Sequence, residues 1–142
     1  MSSDATKRLF LIWCVALAVA GSIVTFAQEQ KEVYVANVDP DGVQRIHLEG
    51  GGYFFKPNRI VIKVNVPVEL SASRETGIIP HNLVIKAPEA GIAVGEELAA
   101  EPKKIAFTVT AVGKYPFYCS NKLLFFASHR ERGMEGVLEV IP

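Results

Sequence analysis

The chain is 142 residues long, with 15 Lys and Arg balanced by 15 Asp and Glu, so it carries no formal net charge at pH 7. That balance leaves no basic footprint for a nucleic acid or an anionic membrane as partner. The length suffices for one domain with one core, and the only cysteines, Cys14 and Cys119, exclude a disulfide-rich framework.

Lys7 and Arg8 precede an apolar run from Leu9 through Ala20, followed by Gly21, Ser22 and the small-residue site Thr25-Phe26-Ala27. A positive flank, a short apolar core and a small residue at the break are the pattern of a secretory leader. Residues 1–27 are therefore expected to form a signal-peptide helix, cleaved after Ala27, ahead of a single domain at 28–142. A periplasmic or secreted protein with no stable membrane association follows. If the run continued uncleaved to Phe26, it would approach the length of a membrane anchor instead. The bulky Trp13 and the very short apolar stretch before it disfavour a lipid-anchor reading of Leu11-Ile12-Trp13-Cys14. Cleavage removes Cys14 and leaves Cys119 as a lone thiol in an oxidising compartment, a liability unless something occupies it.

From Glu32 onward the pattern is almost wholly β. Val33 to Val38 and Val43 to Glu49 read as two strands joined by a turn at Asp39-Pro40-Asp41-Gly42. Gly50-Gly51-Gly52 breaks that pattern before Tyr53-Phe54-Phe55. Ile60, Ile62 and Val64 alternate with Val61, Lys63 and Asn65, and Val68, Leu70 and Ala72 alternate with Glu69, Ser71 and Ser73, each giving one buried and one wetter face. His81 to Lys86 is a further strand. Ala87 to Pro102 reads as a polar connection with a helical turn around Glu96 to Ala100. Ile105, Phe107 and Val109 alternate again, then Tyr115 to Cys119 and Gly136 to Ile141 close the chain. About seven or eight short strands with no long amphipathic helix predict an all-β sandwich.

The stretch from Lys114 to Pro142 holds Cys119, His129 and Met134 between two strand-like segments. A thiolate, an imidazole and a weak axial thioether suit copper once a second histidine joins them, and His81, opening a strand after Pro80, is the candidate. Each residue also has a plainer reading. Cys119 fits a small buried hydrophobe, His81 a strand cap, Met134 core filler and His129 a solvated loop residue. His47 shares a face with Arg45 and Glu49, opposite Ile46 and Leu48, and is read as exposed and not a ligand. The charge run Arg130 to Arg132 reads as a solvated loop. Leu123 to Phe126 either docks a redox partner or covers a metal from water, and the second is the preferred reading.

In this order along the chain, Phe55-Lys56-Pro57 with Ile60 to Val64, Pro80-His81-Asn82, Phe107 to Thr110, Gly113-Lys114-Tyr115, Phe117-Tyr118-Cys119, His129, Gly133-Met134 and Gly136 resemble the cupredoxins, the small blue-copper fold. The resemblance covers most of the chain after Tyr53. It implies a Greek-key β-sandwich holding one copper ion, with His81 the upstream imidazole ligand, Cys119 the thiolate, His129 the second imidazole and Met134 the axial thioether. It also implies that an exposed edge of His129 is the electron gate. The interval Ser120 to Ser128 is longer than the family usually has between these ligands, and a turn or two of helix is expected there to return His129 to the metal. A binuclear centre would need a second cysteine where this chain has Leu123.

The reading that follows is an exported mononuclear copper protein, monomeric, that passes one electron between redox partner proteins. Burial near Phe117, Phe125 and Phe126 and hydrogen bonds to the Cys119 sulfur are expected to set its potential. Four filled ligand positions leave no open site for a substrate, so an enzyme is not expected. The alternatives are a periplasmic copper chaperone or resistance protein using the same soft ligands, and a cupredoxin-like binding module without metal.

Overall fold

The computed structural model describes residues 32–142. The leader expected at residues 1–27 lies outside them. Among the described residues no helix is long and apolar enough to cross a membrane.

The chain folds as an all-β sandwich of two mixed sheets. The ten strands among the described residues are β1 (Val33–Val35), β2 (Gln44–Gly51), β3 (Phe54–Lys56), β4 (Arg59–Lys63), β5 (Val68–Arg74), β6 (His81–Ala87), β7 (Ile92–Leu98), β8 (Lys103–Phe107), β9 (Gly113–Tyr118) and β10 (Glu135–Ile141). One sheet runs β1-β4-β10-β9-β6-β7 and the other β3-β2-β5-β8. The order follows the period-2 signal where that signal was strong. Ile60 and Ile62 of β4, and Val68, Leu70 and Ala72 of β5, all point into the core, with Lys63 and Glu69 on the wetter face. Leu48, Phe55, Leu83, Phe117 and Leu138 meet them between the sheets.

Three expectations are corrected. Val33 to Val38 does not form a hairpin with the following strand. The Asp39 to Gly42 turn does close, with the Gly42 amide donating to the Asp39 carbonyl at 2.8 Å, but only a bridge between Val38 and Gln44 survives beyond it. Instead β1 pairs in parallel with β4, and the chain changes sheets at the turn. Second, Glu96 to Ala100 is not helical. After a single 3₁₀ turn at Pro88–Ala90 the chain enters β7, an edge strand paired with β6. Ile92, Val94 and Leu98 occupy its buried face, but Glu96 takes the position between Val94 and Leu98 on that face and so disguises the alternation. Third, the Gly-rich break is later than expected, because β2 runs through Gly51 before turning.

A buried glutamine ties the sheets together. Gln44, fully buried at the start of β2, donates from Nε2 to the carbonyls of Lys63 (3.2 Å) and Val66 (3.3 Å) and accepts the Lys63 amide at Oε1 (2.7 Å). It satisfies the backbone where β4 ends, on the edge that the β1 ladder leaves after Val61. Gln44→Leu adds apolar bulk but strands these groups, so it is expected to destabilise the fold by about 1–3 kcal/mol. A lowered urea midpoint at unchanged m-value checks this, and an unchanged midpoint would show that the tie carries no stability.

Candidate metal centre

Strand pairing brings three chain segments to one end of the sandwich. β9 and β10 are antiparallel, with Tyr118 opposite Glu135, and β6 is antiparallel to β9, with Val84 opposite Tyr118. The end of β9, the start of β10 and the start of β6 therefore coincide. Cys119 follows β9, Met134 precedes β10 and His81 opens β6. The ladder continues one step past the strands, since the Cys119 amide donates to the Met134 carbonyl at 3.0 Å.

His129 is returned to this end without helix. Its amide donates to the Asn121 carbonyl at 2.9 Å, which pinches off the intervening segment as a compact surface loop whose ends are close together. Within that loop the Phe126 amide bonds to the Leu123 carbonyl (3.0 Å). A turn then begins at Ser128. The Glu131 carboxylate accepts from the Ser128 amide (2.6 Å) and hydroxyl (2.8 Å), and the Glu131 amide donates back to the hydroxyl (3.2 Å). This is the reciprocal Ser-x-x-Glu arrangement that starts helical turns, and these bonds hold the Glu131 carboxyl below its ordinary range. The Met134 amide closes the turn on the His129 carbonyl at 2.9 Å. The helix expected in Ser120 to Ser128 is thus replaced by a pinched loop and a capped turn.

The potential ligand atoms of His81, Cys119 and His129 all lie within 4.8 Å of one another, and all three residues are buried. Nδ1 of His81 is 3.1 Å from Nδ1 of His129, and the Cys119 sulfur is 3.5 Å from the same His129 nitrogen. Met134 is fully buried and bonded through its backbone to both Cys119 and His129. Its methyl sits 3.0 Å from where a side chain on Gly50 would begin, so the absence of one makes room for it. His47 lies on the exposed face of β2, away from this group, as expected.

The surroundings keep the three groups neutral. Burial, then the neighbouring His129 imidazole, which would repel a second proton, and Arg74 lower the pKa of His81, and burial followed by Arg132 lowers that of His129. Burial pushes the Cys119 thiol up, opposed by backbone amides of Asn82 and Asn121. The Asn82 amide points at the sulfur from 3.4 Å. The Asn82 side chain also straps the two ligand-bearing segments together, donating to Ser120 Oγ (2.8 Å) and accepting from the Ser120 amide (2.7 Å). Two neutral imidazoles and a buried thiol turned toward one point fit a soft to borderline metal ion, which would draw off the thiol proton. His, Cys and His can thus hold one metal ion.

Three expectations about the surroundings are corrected. Phe117 is buried, but Phe125 is 85% and Phe126 47% exposed, so neither forms the apolar wall around the site. Leu123 and Leu124, at 64% and 75%, are equally bare, and the loop projects from the domain instead of covering the metal position. With Ile78 and Ile79 it flanks an open groove of about 730 Å³ that reaches His129. His129 has no bare edge, being only 7% exposed. Tyr53, Asn82 and Ser120 had not been singled out as site residues. Only Asn82, directly after His81, carried a signal.

The sequence matches no family model and no curated protein. Solved structures do match. The metal-binding domain of the Cu(I)-exporting P-type ATPase CopA from Streptococcus pneumoniae D39, solved with Cu(I), is 21% identical over 79% of this chain and 98% of that one, at a TM-score of 0.58. Auracyanin B is 20% identical over 77% of this chain and 95% of its own, at 0.55. Auracyanin A, a blue copper protein of Chloroflexus aurantiacus, is 17% identical over 70% and 100%, at 0.52. At these identities the likeness establishes the fold: the described residues form the same β-sandwich as these proteins.

Proposed function

We propose that this chain is an exported mononuclear copper protein that carries one electron between redox partner proteins. The observation that carries the reading is the convergence of two buried imidazole nitrogens and one buried thiol, with no carboxylate among them. Such a donor set favours copper over the hard cations. His81, Cys119 and His129 would hold the ion and Met134 would supply the weak axial thioether, and copper bound there contributes a one-electron couple.

The chain's own residues do the rest. Strand ends and the Asn82–Ser120 strap hold the ligands rigidly, so little rearranges when charge changes. The Asn82 amide facing the sulfur stabilises negative charge on it and helps to set the potential. Burial keeps water from the centre, which favours a carrier over an enzyme. The exposed Leu123 to Phe126 loop and Ile78, beside the His129 groove, offer the apolar face on which a redox partner docks. Export to the periplasm or outside the cell rests on the leader pattern of residues 1–27, and monomeric behaviour on the closed single-core sandwich.

A second reading, copper handover, draws on the likeness to the CopA metal-binding domain. Repeated oxidation and reduction without loss of metal separates carriage from handover.

Copper(II) loading is expected to give a strong visible charge-transfer band that Cys119→Ser removes while the circular dichroism of the sandwich persists. An unchanged band in that variant would end the copper-thiolate reading. His129→Ala should shift the spectrum and weaken metal retention by about 10-fold or more. Met134→Ala should change the potential more than the affinity, because the axial bond is weak, and His47→Ala should change neither. If His129→Ala leaves spectrum and retention untouched, the loop does not deliver a ligand.

The copper-free protein should also lose stability on mild acidification. His81 and His129 have lowered folded pKa values, so the unfolded chain binds more protons once the pH falls below the ordinary imidazole value of about 6.5. The contribution is intact above that pH and declines toward the folded pKa values. Urea midpoints at about pH 7.5 and about pH 5 check this, with His81→Gln/His129→Gln expected to flatten the difference.

A further inference from the structure

The turn between β2 and β3 holds two consecutive left-handed residues, Gly52 at φ 46° and Tyr53 at φ 66°, between the paired Gly51 and Phe54. Two-residue hairpin turns of this kind favour Gly, Asn or Asp, and an aromatic residue in the left-handed region is strained. Backbone geometry therefore gives no reason for a tyrosine here. The side chain supplies one. Its ring meets the His129 imidazole edge to face, with centroids 5.0 Å apart and planes at 78°. On the Tyr53 ring lies the Arg132 guanidinium, 4.9 Å from the centroid, whose Nη1 also donates to the phenol oxygen at 3.4 Å. Arg132 belongs to the same capped turn as His129, so the turn holds the tyrosine through two contacts.

We propose that Tyr53 is a positioning residue for the metal centre: clamped by Arg132, its ring holds the His129 imidazole in place and shuts water away from it. Local strain kept at a position that touches a working group is the pattern expected where a side chain, and not the backbone, has been selected. The arrangement also accounts for the burial of a histidine that sits at the mouth of an open groove. The contact itself stands without metal, and its consequence for metal retention rests on the copper reading above.

The test compares Tyr53→Asn and Tyr53→Gly, both of which suit the turn, with Tyr53→Phe, which keeps the ring. In the copper-free chain, diethyl pyrocarbonate labelling located by mass spectrometry should modify His129 several-fold faster in the Asn and Gly variants, with the rate at His47 unchanged as reference. Their urea midpoints should equal or exceed that of the parent, because the strain is gone. Tyr53→Phe should label like the parent. In the copper-loaded chain the Asn and Gly variants should release metal to a chelator about 10-fold faster, as expected for loss of a group that orients a ligand. Tyr53→Phe should again restore the parent behaviour. Unchanged His129 labelling in both the Asn and Gly variants would overturn the proposal. A parent chain that takes up no copper would instead defeat the copper reading, leaving the labelling result to decide the role of Tyr53.

Discussion

The antiparallel ladder between β9 and β10, carried one step past the strands by the Cys119 amide donating to the Met134 carbonyl, is the constraint on which the metal end depends. It ties the residue that leaves one strand to the residue that enters the next, so the loop between them must begin and end at the same place. Everything within that loop can vary in length without moving Cys119 or Met134. Because β9 also pairs with β6, the same ladder places His81 beside them. Three groups from distant parts of the sequence thereby converge through main-chain hydrogen bonds alone, before any side-chain contact is considered.

Convergence of this kind has a cost, since polar side chains are taken out of water. The protein meets it in two ways. The imidazoles and the thiol are held in their neutral forms by burial, which removes the larger penalty of burying charge. The backbone amide of Asn82 faces the sulfur, and its side chain joins the β6 entry to the residue after Cys119. Gln44 performs the corresponding service at the end of β4, where it links the two sheets. Both are polar residues whose value lies in the backbone groups they satisfy.

The long loop between Cys119 and His129 divides its labour. The pinch between Asn121 and His129 and the Ser128–Glu131 cap fix the imidazole, while the tip from Leu123 to Phe126 stands away from the body. Shielding of His129 falls to Tyr53, which comes from the opposite sheet's hairpin. An apolar tip freed from covering the centre is available as a surface, and its position beside the His129 groove places that surface next to the centre.

Much of this was legible in the residues themselves. Ile60 with Ile62 and Val68 with Leu70 announced their strands by alternation, because a pleated strand with one dry face permits little else. The chemistry of Cys119, His129, Met134 and His81 pointed to a soft metal ion because few other uses bring those donors together. The edge strand β7 was hidden by Glu96, which stands among the apolar residues of its inner face. β1 was assigned to the wrong partner because pairing depends on which edge is vacant and not on the strand's own residues. Tyr53, Asn82 and Gln44 went unrecognised since each acts on a group distant in sequence. The sequence by itself thus determined the β class and the alternating faces and offered the candidate donors, all of which are local properties of residue type and spacing. Only the tertiary structure decided which donors meet, that the loop is pinched without helix, and that a strained tyrosine covers His129, because these depend on long-range hydrogen bonds and packing.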